Sequence, residues 1–312
     1  MTAKIAQVLL KARPTATQLA DRLRAPQSAG LELYLDTVDL ATDEAMDGVV
    51  ANLDACGLPS DFVLLVEGPI RSLDGEFFDL TRDSEADREL SRRLIALAKR
   101  IGARGANIHA IAPDAATASL TLARRSELLE AALGPTRFFA DLALAAGIVP
   151  TLENMPPILR MRESGIYYSA IGMPPQDMTM LAQAVPGIKV ILDTSHAQLY
   201  LNVRRGVQED VFGQDLGPLR RFVADAPGVD TIDEYVEVLG DTIFASHIAN
   251  AAGLLGEGMP YGEGDLDLDA LLTVLAQRAR YLVTETLEPD NNRADLMRDA
   301  RVRALATLEQ PA

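Results

Sequence analysis

The stretch Ile188-Lys-Val-Ile-Leu-Asp193-Thr-Ser-His196 carries the pattern that decides the fold of this 312-residue chain. A short, mostly aliphatic run leads directly into an aspartate and a histidine. A nearly continuous apolar run of this length is typical of a strand that is buried on both faces of a parallel sheet. The sequence therefore predicts a buried parallel strand that ends at Asp193.

Similar runs occur along the whole chain, and helical patterns separate them. The eight predicted strands are Lys4–Leu10, Gly30–Leu35, Phe62–Glu67, Ala106–Ile111, Val149–Glu153, Ile188–Asp193, Thr242–His247 and Tyr281–Glu285. Strands and helices alternate with no Gly/Ser linker and no shift in composition. This pattern predicts an α/β protein with a (β/α)₈ TIM barrel as a single domain over residues 1–312. Periodicity alone leaves an open doubly wound sheet as the alternative.

The helical patterns also predict where helices begin and where the chain makes longer excursions. Helices are expected over Ser84–Ile101, Ser126–Gly147, Asp267–Arg280 and Arg293–Leu308. Ser84 has the character of an N-cap, and we expect Pro135 to begin a second helical segment, because proline suits the first turn of a helix. The connections 68–83 and 197–241 are too long for plain turns and predict lids or extra helices over the barrel mouth.

The composition of the chain argues against nucleic-acid-binding, disulfide-stabilised and membrane-spanning proteins. There are 45 acidic and 29 basic side chains, which give a formal net charge of −16. This charge opposes nucleic acid as a partner, because the phosphate backbone is itself negative. The single cysteine, Cys56, cannot form an intrachain disulfide, and no apolar run is long enough for a membrane span. The N-terminus lacks the apolar stretch of a signal peptide, so we expect a cytoplasmic protein.

Acidic and histidine side chains follow the predicted strands at their carboxyl ends, where TIM barrels build their active sites. All three histidines of the chain, His109, His196 and His247, lie there. Glu153, Asp193 and Glu285 do as well, and no Lys or Arg accompanies them at those strand ends. Converging buried carboxylates need a neutralising cation. The sequence therefore predicts one divalent metal ion.

Four of these side chains form the expected ligand set, namely Glu153, Asp193, His247 and Glu285. Three carboxylates and one imidazole make a mostly oxygen-based set, which suits Mn²⁺, Mg²⁺ or Co²⁺ and also accepts Zn²⁺. Mn²⁺ is our first expectation.

Several short motifs resemble those of a known superfamily over residues 149–287. They are Leu152-Glu153-Asn154, Asp193-Thr-Ser-His196, His247-Ile-Ala-Asn250, Gly262-Glu263-Gly264-Asp-Leu-Asp and Thr284-Glu285-Thr286. With them, the chain resembles the xylose isomerase-like TIM barrel superfamily, of the sugar phosphate isomerase/epimerase type and related to AP endonuclease family 2.

This resemblance implies roles for individual residues. Glu153 and Glu285 would be the catalytic acid/base pair as well as metal ligands, together with Asp193 and His247. His196, His109 and Glu32 would bind substrate. The implied reaction is the isomerisation or epimerisation of a small sugar, polyol or keto acid. It would proceed by proton abstraction next to a carbonyl, through a metal-held enediolate. The resemblance also implies a homodimer or homotetramer.

Three other functions remain open at this point. A keto-polyol dehydratase would use the same site. An endonuclease IV-like apurinic-site nuclease shares some motifs, but Glu67 stands where that type has a histidine on strand three, and the net charge opposes DNA. A non-catalytic sugar-binding barrel is the third alternative.

The chain also departs from the ketose 3-epimerases, which usually have a Glu and an Arg where this sequence has Leu159 and Gly253. Arg160 and Arg162 are nearby basic residues, for which solvated loop positions are the favoured interpretation. For Glu263, between two glycines, a structural turn is favoured.

Overall fold

A closed barrel of eight parallel strands lies at the centre of the computed structural model, which describes residues 6–24, 28–161 and 165–309. The barrel strands are β1 (Gln7–Ala12), β2 (Gly30–Tyr34), β3 (Val63–Glu67), β4 (Gly105–His109), β6 (Val149–Glu153), β9 (Lys189–Asp193), β10 (Ile243–Ile248) and β13 (Tyr281–Thr284). They follow one another around the barrel in chain order, and β1 pairs with β13 to close it. The predicted (β/α)₈ TIM barrel is therefore confirmed.

Each predicted strand falls on one barrel strand, and Val149–Glu153 agrees residue for residue. The first strand shows the most consequential difference. It was expected over Lys4–Leu10, whereas β1 continues to Ala12; Lys4 and Ile5 lie outside the described residues. The later end of β1 places Lys11 on a barrel strand.

Helices surround the barrel. They are α1 (Ala16–Arg22), α2 (Thr37–Leu40), α3 (Asp43–Asp54), α4 (Glu85–Arg100), α5 (Leu122–Ala145), α6 (Pro175–Ala184), α7 (Thr194–Arg204), α8 (Gly217–Asp225), α9 (Ile232–Leu239), α10 (Leu268–Arg278) and α11 (Asp295–Glu309). The predicted N-cap of α4 is confirmed, because Asp87 N donates a hydrogen bond to Ser84 Oγ at 3.1 Å.

The expectation that Pro135 begins a new helix is wrong. Helix α5 is continuous through Pro135, although a proline inside a helix removes one hydrogen bond and costs about 3 kcal/mol. Leu129 and Ala132 before the proline, and Phe139 and Ala140 after it, are all buried on the helix. Burial of this one apolar face on both sides of the proline outweighs the local penalty.

The two long connections differ from each other. Residues 197–241 complete α7 and contain α8 and α9, so the expected extra helices are present in this connection. Residues 68–83 contain no helix, only an isolated bridge between Arg71 and Phe77.

Short strands that were not predicted lie after the barrel strands. An antiparallel sheet consists of β5 (Pro113–Asp114), β7 (Ile158–Met161) and β8 (Gly165–Ser169), and a hairpin consists of β11 (Asn250–Ala252) and β12 (Gly256–Met259). None of the described helices has the length and apolar character that a membrane crossing requires.

Candidate metal centre

Side chains that point into the barrel change from apolar to charged along five of the barrel strands, β1, β3, β9, β10 and β13. Leu9, Leu65, Ile191, Ala245 and Val283 belong to an apolar cluster inside the barrel. Because side chains on one face of a strand recur every second residue, the next inward positions lie two residues later. Those positions are Lys11, Glu67, Asp193, His247 and Glu285. The fold thus supports a ring of charged groups on an apolar floor at the carboxyl ends of the strands.

Three members of this ring and Glu153, at the end of β6, bring one ligand atom each to a common centre. Glu153, Asp193, His247 and Glu285 offer atoms that all lie within 4.8 Å of one another. His247 Nδ1 lies 2.6 Å from Glu285 Oε2, 3.3 Å from Glu153 Oε1 and 3.8 Å from Asp193 Oδ2. These are the four residues that the sequence nominated as ligands.

The second polar atom of each of these side chains contacts a neighbour outside the centre. Glu153 Oε2 accepts a hydrogen bond from Asn107 Nδ2 at 2.6 Å, and Asp193 Oδ1 accepts one from His196 N at 2.7 Å. His247 Nε2 lies 2.6 Å from Glu32 Oε2, and Glu285 Oε1 contacts Lys11 Nζ. Outer contacts of this kind orient metal ligands in proteins.

The inner atoms fit a cation. His247 Nδ1 and Glu285 Oε2 are buried, and although they lie 2.6 Å apart, neither makes a hydrogen bond of acceptable geometry with any described residue. Buried polar atoms without partners are rare in folded proteins because each costs about 1–3 kcal/mol. A divalent ion would satisfy both atoms and would neutralise the converging carboxylates, so the residues present fit the metal that the sequence predicted.

Lys11 is the principal residue that sequence reasoning missed. Its Nζ contacts Glu285 Oε1 and lies 2.5 Å from Glu67 Oε2 and 4.0 Å from Glu32 Oε2. Burial alone would lower the pKa of Lys11, but Glu285, Glu67 and Glu32 together outweigh it and raise that pKa well above its ordinary value. The barrel mouth therefore contains a permanent cation of its own. The signal that could have revealed it is the two-residue spacing from Leu9.

The carboxylates of the centre differ in their electrostatic surroundings. Burial and the nearby Glu285 and Glu153 raise the pKa of Asp193 to about 7, although His196 opposes the shift. Burial would also raise the pKa of Glu285, but Lys11 and His247 outweigh it and lower that pKa to about 2. Glu285 is thus compensated by the protein itself, whereas Asp193 lacks a comparable compensating charge.

The two other histidines lie at the same mouth and are buried. His196 Nδ1 lies 2.8 Å from Asn154 O, so it donates to that carbonyl, and Nε2 lies 3.3 Å from Glu257 Oε1. His109 Nε2 lies 3.5 Å from Glu67 Oε1 and 3.8 Å from Glu153 Oε2. Glu257 was not foreseen, because the hairpin that carries it was not predicted.

The other residues discussed from the sequence lie deeper in the barrel than the metal centre or near the protein surface. Glu32 is fully buried behind His247 and contacts that ring rather than the open mouth. Arg160 stacks over the ring of Phe212 at 5.4 Å from its centroid, and Arg162 lies outside the described residues. Glu263 is exposed in a turn whose Gly264 has a φ of 106°, in line with the structural role that was favoured for it.

Comparisons with known proteins extend this picture. Residues 27–304 match the family model described as xylose isomerase-like TIM barrel. No curated protein sequence matches the chain.

Solved structures share the fold at low sequence identity. A D-tagatose 3-epimerase-like protein is 15% identical with a TM-score of 0.63, covering 97% of this chain and 98% of that one. The 3-keto-D-glucoside 4-epimerase of E. coli is 17% identical with a TM-score of 0.58, covering 97% and 98%. An AP endonuclease of family 2 from Brucella melitensis is 16% identical with a TM-score of 0.62, covering 95% and 99%. These likenesses establish a common architecture.

Proposed function

The chain belongs to the xylose isomerase-like TIM barrel family, and from this premise we propose that it is a metal-dependent isomerase or epimerase of a small sugar, polyol or keto acid. One observation carries the proposal. Four ligand atoms from β6, β9, β10 and the end of β13 converge within 4.8 Å, while the other polar atom of each side chain is occupied by a neighbour.

Glu153, Asp193, His247 and Glu285 would hold the ion. Their mostly oxygen-based set suits Mn²⁺, Mg²⁺ or Co²⁺. When bound, the ion would act as a Lewis acid that polarises a substrate carbonyl and so acidifies the neighbouring C–H bond.

Glu153 and Glu285 are the proposed acid/base pair. Burial would raise the pKa of Glu153, but His247, His109 and Lys11 outweigh it and lower that pKa well below its ordinary value. The pKa of Glu285 is lowered as well. Both carboxylates are therefore ionised at neutral pH and able to accept a proton. Return of the proton to the other face of the same carbon gives an epimer, and its return to the neighbouring carbon gives an isomer.

His196 is the proposed substrate-binding group on this side. Its Nδ1 is committed to the carbonyl of Asn154, which fixes the orientation of the ring. Nε2 is then the atom available to a substrate hydroxyl or carbonyl oxygen, in competition with Glu257. The sugar class of the substrate is supported by the names of two structural neighbours, which are a tagatose 3-epimerase-like protein and a ketoglucoside epimerase.

Solvent-hydrogen exchange tests the proposal directly. The full chain, loaded with Mn²⁺, is incubated in D₂O with a panel of ketoses, and NMR follows deuterium entering the carbon next to the carbonyl. We expect exchange into at least one ketose, and no exchange after the metal is removed by a chelator. If no ketose exchanges, the proposed function is wrong, and cleavage of an apurinic-site DNA by the same preparation would then favour the nuclease alternative.

A further inference from the structure

A cavity of ≈ 540 Å³ opens beside the candidate metal centre. This volume lies within the range of about 300–1,000 Å³ that is usual for small-molecule sites. The cavity lies at the ends of β1, β2, β3 and β13, and we call it the side cavity. Its lining includes Lys11, Arg13, Tyr34, Glu67, Glu285 and Thr286. Glu285 lines this cavity and also belongs to the candidate metal centre, so the two sites adjoin each other.

Unused hydrogen-bonding groups line the side cavity. The hydroxyl of Thr286 is buried, with the residue only 2% exposed, and it has no hydrogen-bond partner in the described part of the chain. Arg13 Nε is likewise buried without a partner. A hydroxyl or a guanidinium N–H that is buried without a partner destabilises the folded protein, because it has lost its hydrogen bonds to water. Oxygen atoms of a ligand in the cavity would remove this destabilisation.

Lys11 adds a third donor at the boundary between the cavity and the metal centre. An ammonium group carries three N–H donors. Contacts with Glu285 and Glu67 use two of them, and Glu32 Oε2 at 4.0 Å is too distant for a hydrogen bond. One donor of Lys11 is therefore free to bind an oxygen of a ligand.

The charges around the cavity argue against an anionic ligand. Its lining contains three basic side chains, Lys11, Arg13 and Arg22, and four carboxylates, Asp36, Glu67, Glu285 and Glu288. The basic groups already have acidic partners. Arg13 pairs with Asp36 and Asp39, and Arg22 pairs with Asp21. A phosphate or carboxylate would find no uncommitted cation here, whereas hydroxyl groups can use the single free donors.

We propose that the side cavity is the subsite for the non-reacting part of the substrate, and that this part is an uncharged polyhydroxylated chain or ring. Lys11, Arg13 and Thr286 each donate a hydrogen bond to its oxygens. The inference rests on the proposed function for the idea that the ligand is a substrate. It adds that this substrate is longer than a three-carbon molecule and carries no charge at its far end.

Binding of two polyols to the full Mn²⁺-loaded chain tests the subsite. Calorimetry with D-sorbitol, which has six carbons, is compared with glycerol, which has three. We expect D-sorbitol to bind more tightly. The isosteric change Thr286→Val should weaken the binding of D-sorbitol by about three- to tenfold, the range expected for one neutral hydrogen bond. It should leave the affinity for glycerol unchanged.

Two further variants separate hydrogen bonding from disturbance of the fold. Thr286→Ser keeps the hydroxyl and should restore the affinity for D-sorbitol. Thr136→Val is the matched control, because Thr136 on α5 also has a buried hydroxyl without a partner but does not line the cavity. It should have no effect on either polyol.

The charge of the ligand is tested on the metal-free chain, where the carboxylate of D-gluconate has no ion to bind, and we expect D-gluconate to bind more weakly than D-sorbitol does. Tighter binding of D-gluconate, or equal binding of D-sorbitol by the wild type and Thr286→Val, would overturn the subsite proposal. Neither measurement requires turnover. A Thr286-dependent affinity for D-sorbitol in a protein that exchanges deuterium with no ketose would therefore uphold the subsite and reject the isomerase proposal.

Discussion

The two halves of the barrel mouth hold buried carboxylates in different ways. In the metal half, formed by β6, β9, β10 and β13, four ligand atoms converge with no basic side chain from those four strands among them. In the lysine half, formed by β1 to β4, the ammonium of Lys11 lies against Glu67 and close to Glu32. Burying several carboxylates together requires a compensating cation. The comparison shows one fold using its own ammonium on one side and leaving room for an ion on the other.

Glu285 joins the two halves. Its Oε2 lies at the proposed metal position and its Oε1 contacts Lys11. If the halves differ in this way, variants in the two halves should differ in their effects, and loss of the Glu153 carboxylate should have the largest.

Glu153→Gln should lower turnover by about 10²–10⁴-fold, because general base catalysis contributes on that scale and an amide cannot accept the proton. The measurement is the rate of deuterium exchange or product formation at saturating metal. Glu263→Gln is the matched control, since Glu263 is exposed in a turn and should be replaceable without loss. Near-full activity in Glu153→Gln would remove Glu153 from the role of acid/base.

His247→Ala should weaken Mn²⁺ binding by more than about 100-fold, since changes outside the ligand shell alone cost about 10–100-fold. Lys11→Met, the corresponding loss in the lysine half, should change Mn²⁺ binding by less than about tenfold, because the lost contact that orients Glu285 is offset by removal of a positive charge beside the ion. Titration of the metal-free proteins with Mn²⁺ gives both affinities. If Lys11→Met releases the metal and His247→Ala retains it, the assignment of the two halves is reversed.

Glu32→Gln should weaken Mn²⁺ binding by about 10–100-fold, because the Glu32 carboxylate lies 2.6 Å from His247 Nε2 and orients the ring. Turnover at saturating metal should change less than the affinity. An unchanged metal affinity would show that Glu32 does not orient His247.

The helices behind the two halves should show opposite pH dependences of stability. Behind the metal half, Asp177 on α6 contacts Arg125 on α5, and burial raises the pKa of Asp177 to about 6 despite that arginine. The folded protein therefore binds this proton more tightly than the unfolded chain does. The stability that this tighter proton binding contributes is fully present below pH 3.8, the ordinary pKa of an aspartate, and is lost as the pH rises through about 6.

Behind the lysine half, Asp21 on α1 pairs with Arg298 on α11. Burial would raise the pKa of Asp21, but hydrogen bonds from Arg298 and Ala294 N outweigh it and lower that pKa below 3.8. The stability that this pair contributes is fully present above pH 3.8 and is lost as the pH falls through the lowered pKa of Asp21.

Urea unfolding at a series of pH values tests the contrast. In the wild type, the free energy of unfolding should decline by up to about 1.4 kcal/mol per pH unit between pH 3.8 and about pH 6, the unfolded and folded pKa values of Asp177. Asp177→Asn should remove this decline. Asp21→Asn should remove a loss of stability in more acidic solution. The quantity to compare is the slope of the free energy of unfolding against pH, because either substitution also alters the overall stability. Equal slopes in wild type and Asp177→Asn would contradict the raised pKa of Asp177.

Much of the barrel could be predicted because buried parallel strands are continuous apolar runs. The strand Val149–Glu153 was predicted residue for residue, and the family match bears out the resemblance drawn from the motifs. The helix over Pro135 was misjudged, because a local penalty for proline is visible in the sequence whereas the burial that outweighs it is not. Lys11 was overlooked for a smaller reason: β1 ends at Ala12 rather than at Leu10.

The sequence by itself determined the alternation of strands and helices and the nomination of Glu153, Asp193, His247 and Glu285, since both follow from periodicity and from position at strand ends. Only the tertiary structure decided which oxygen of each carboxylate faces the centre, how Lys11 divides its contacts, and where the side cavity lies. The physical reason is barrel closure. Lys11 and Glu285 are 274 residues apart in the chain, and they become neighbours only because β1 pairs with β13.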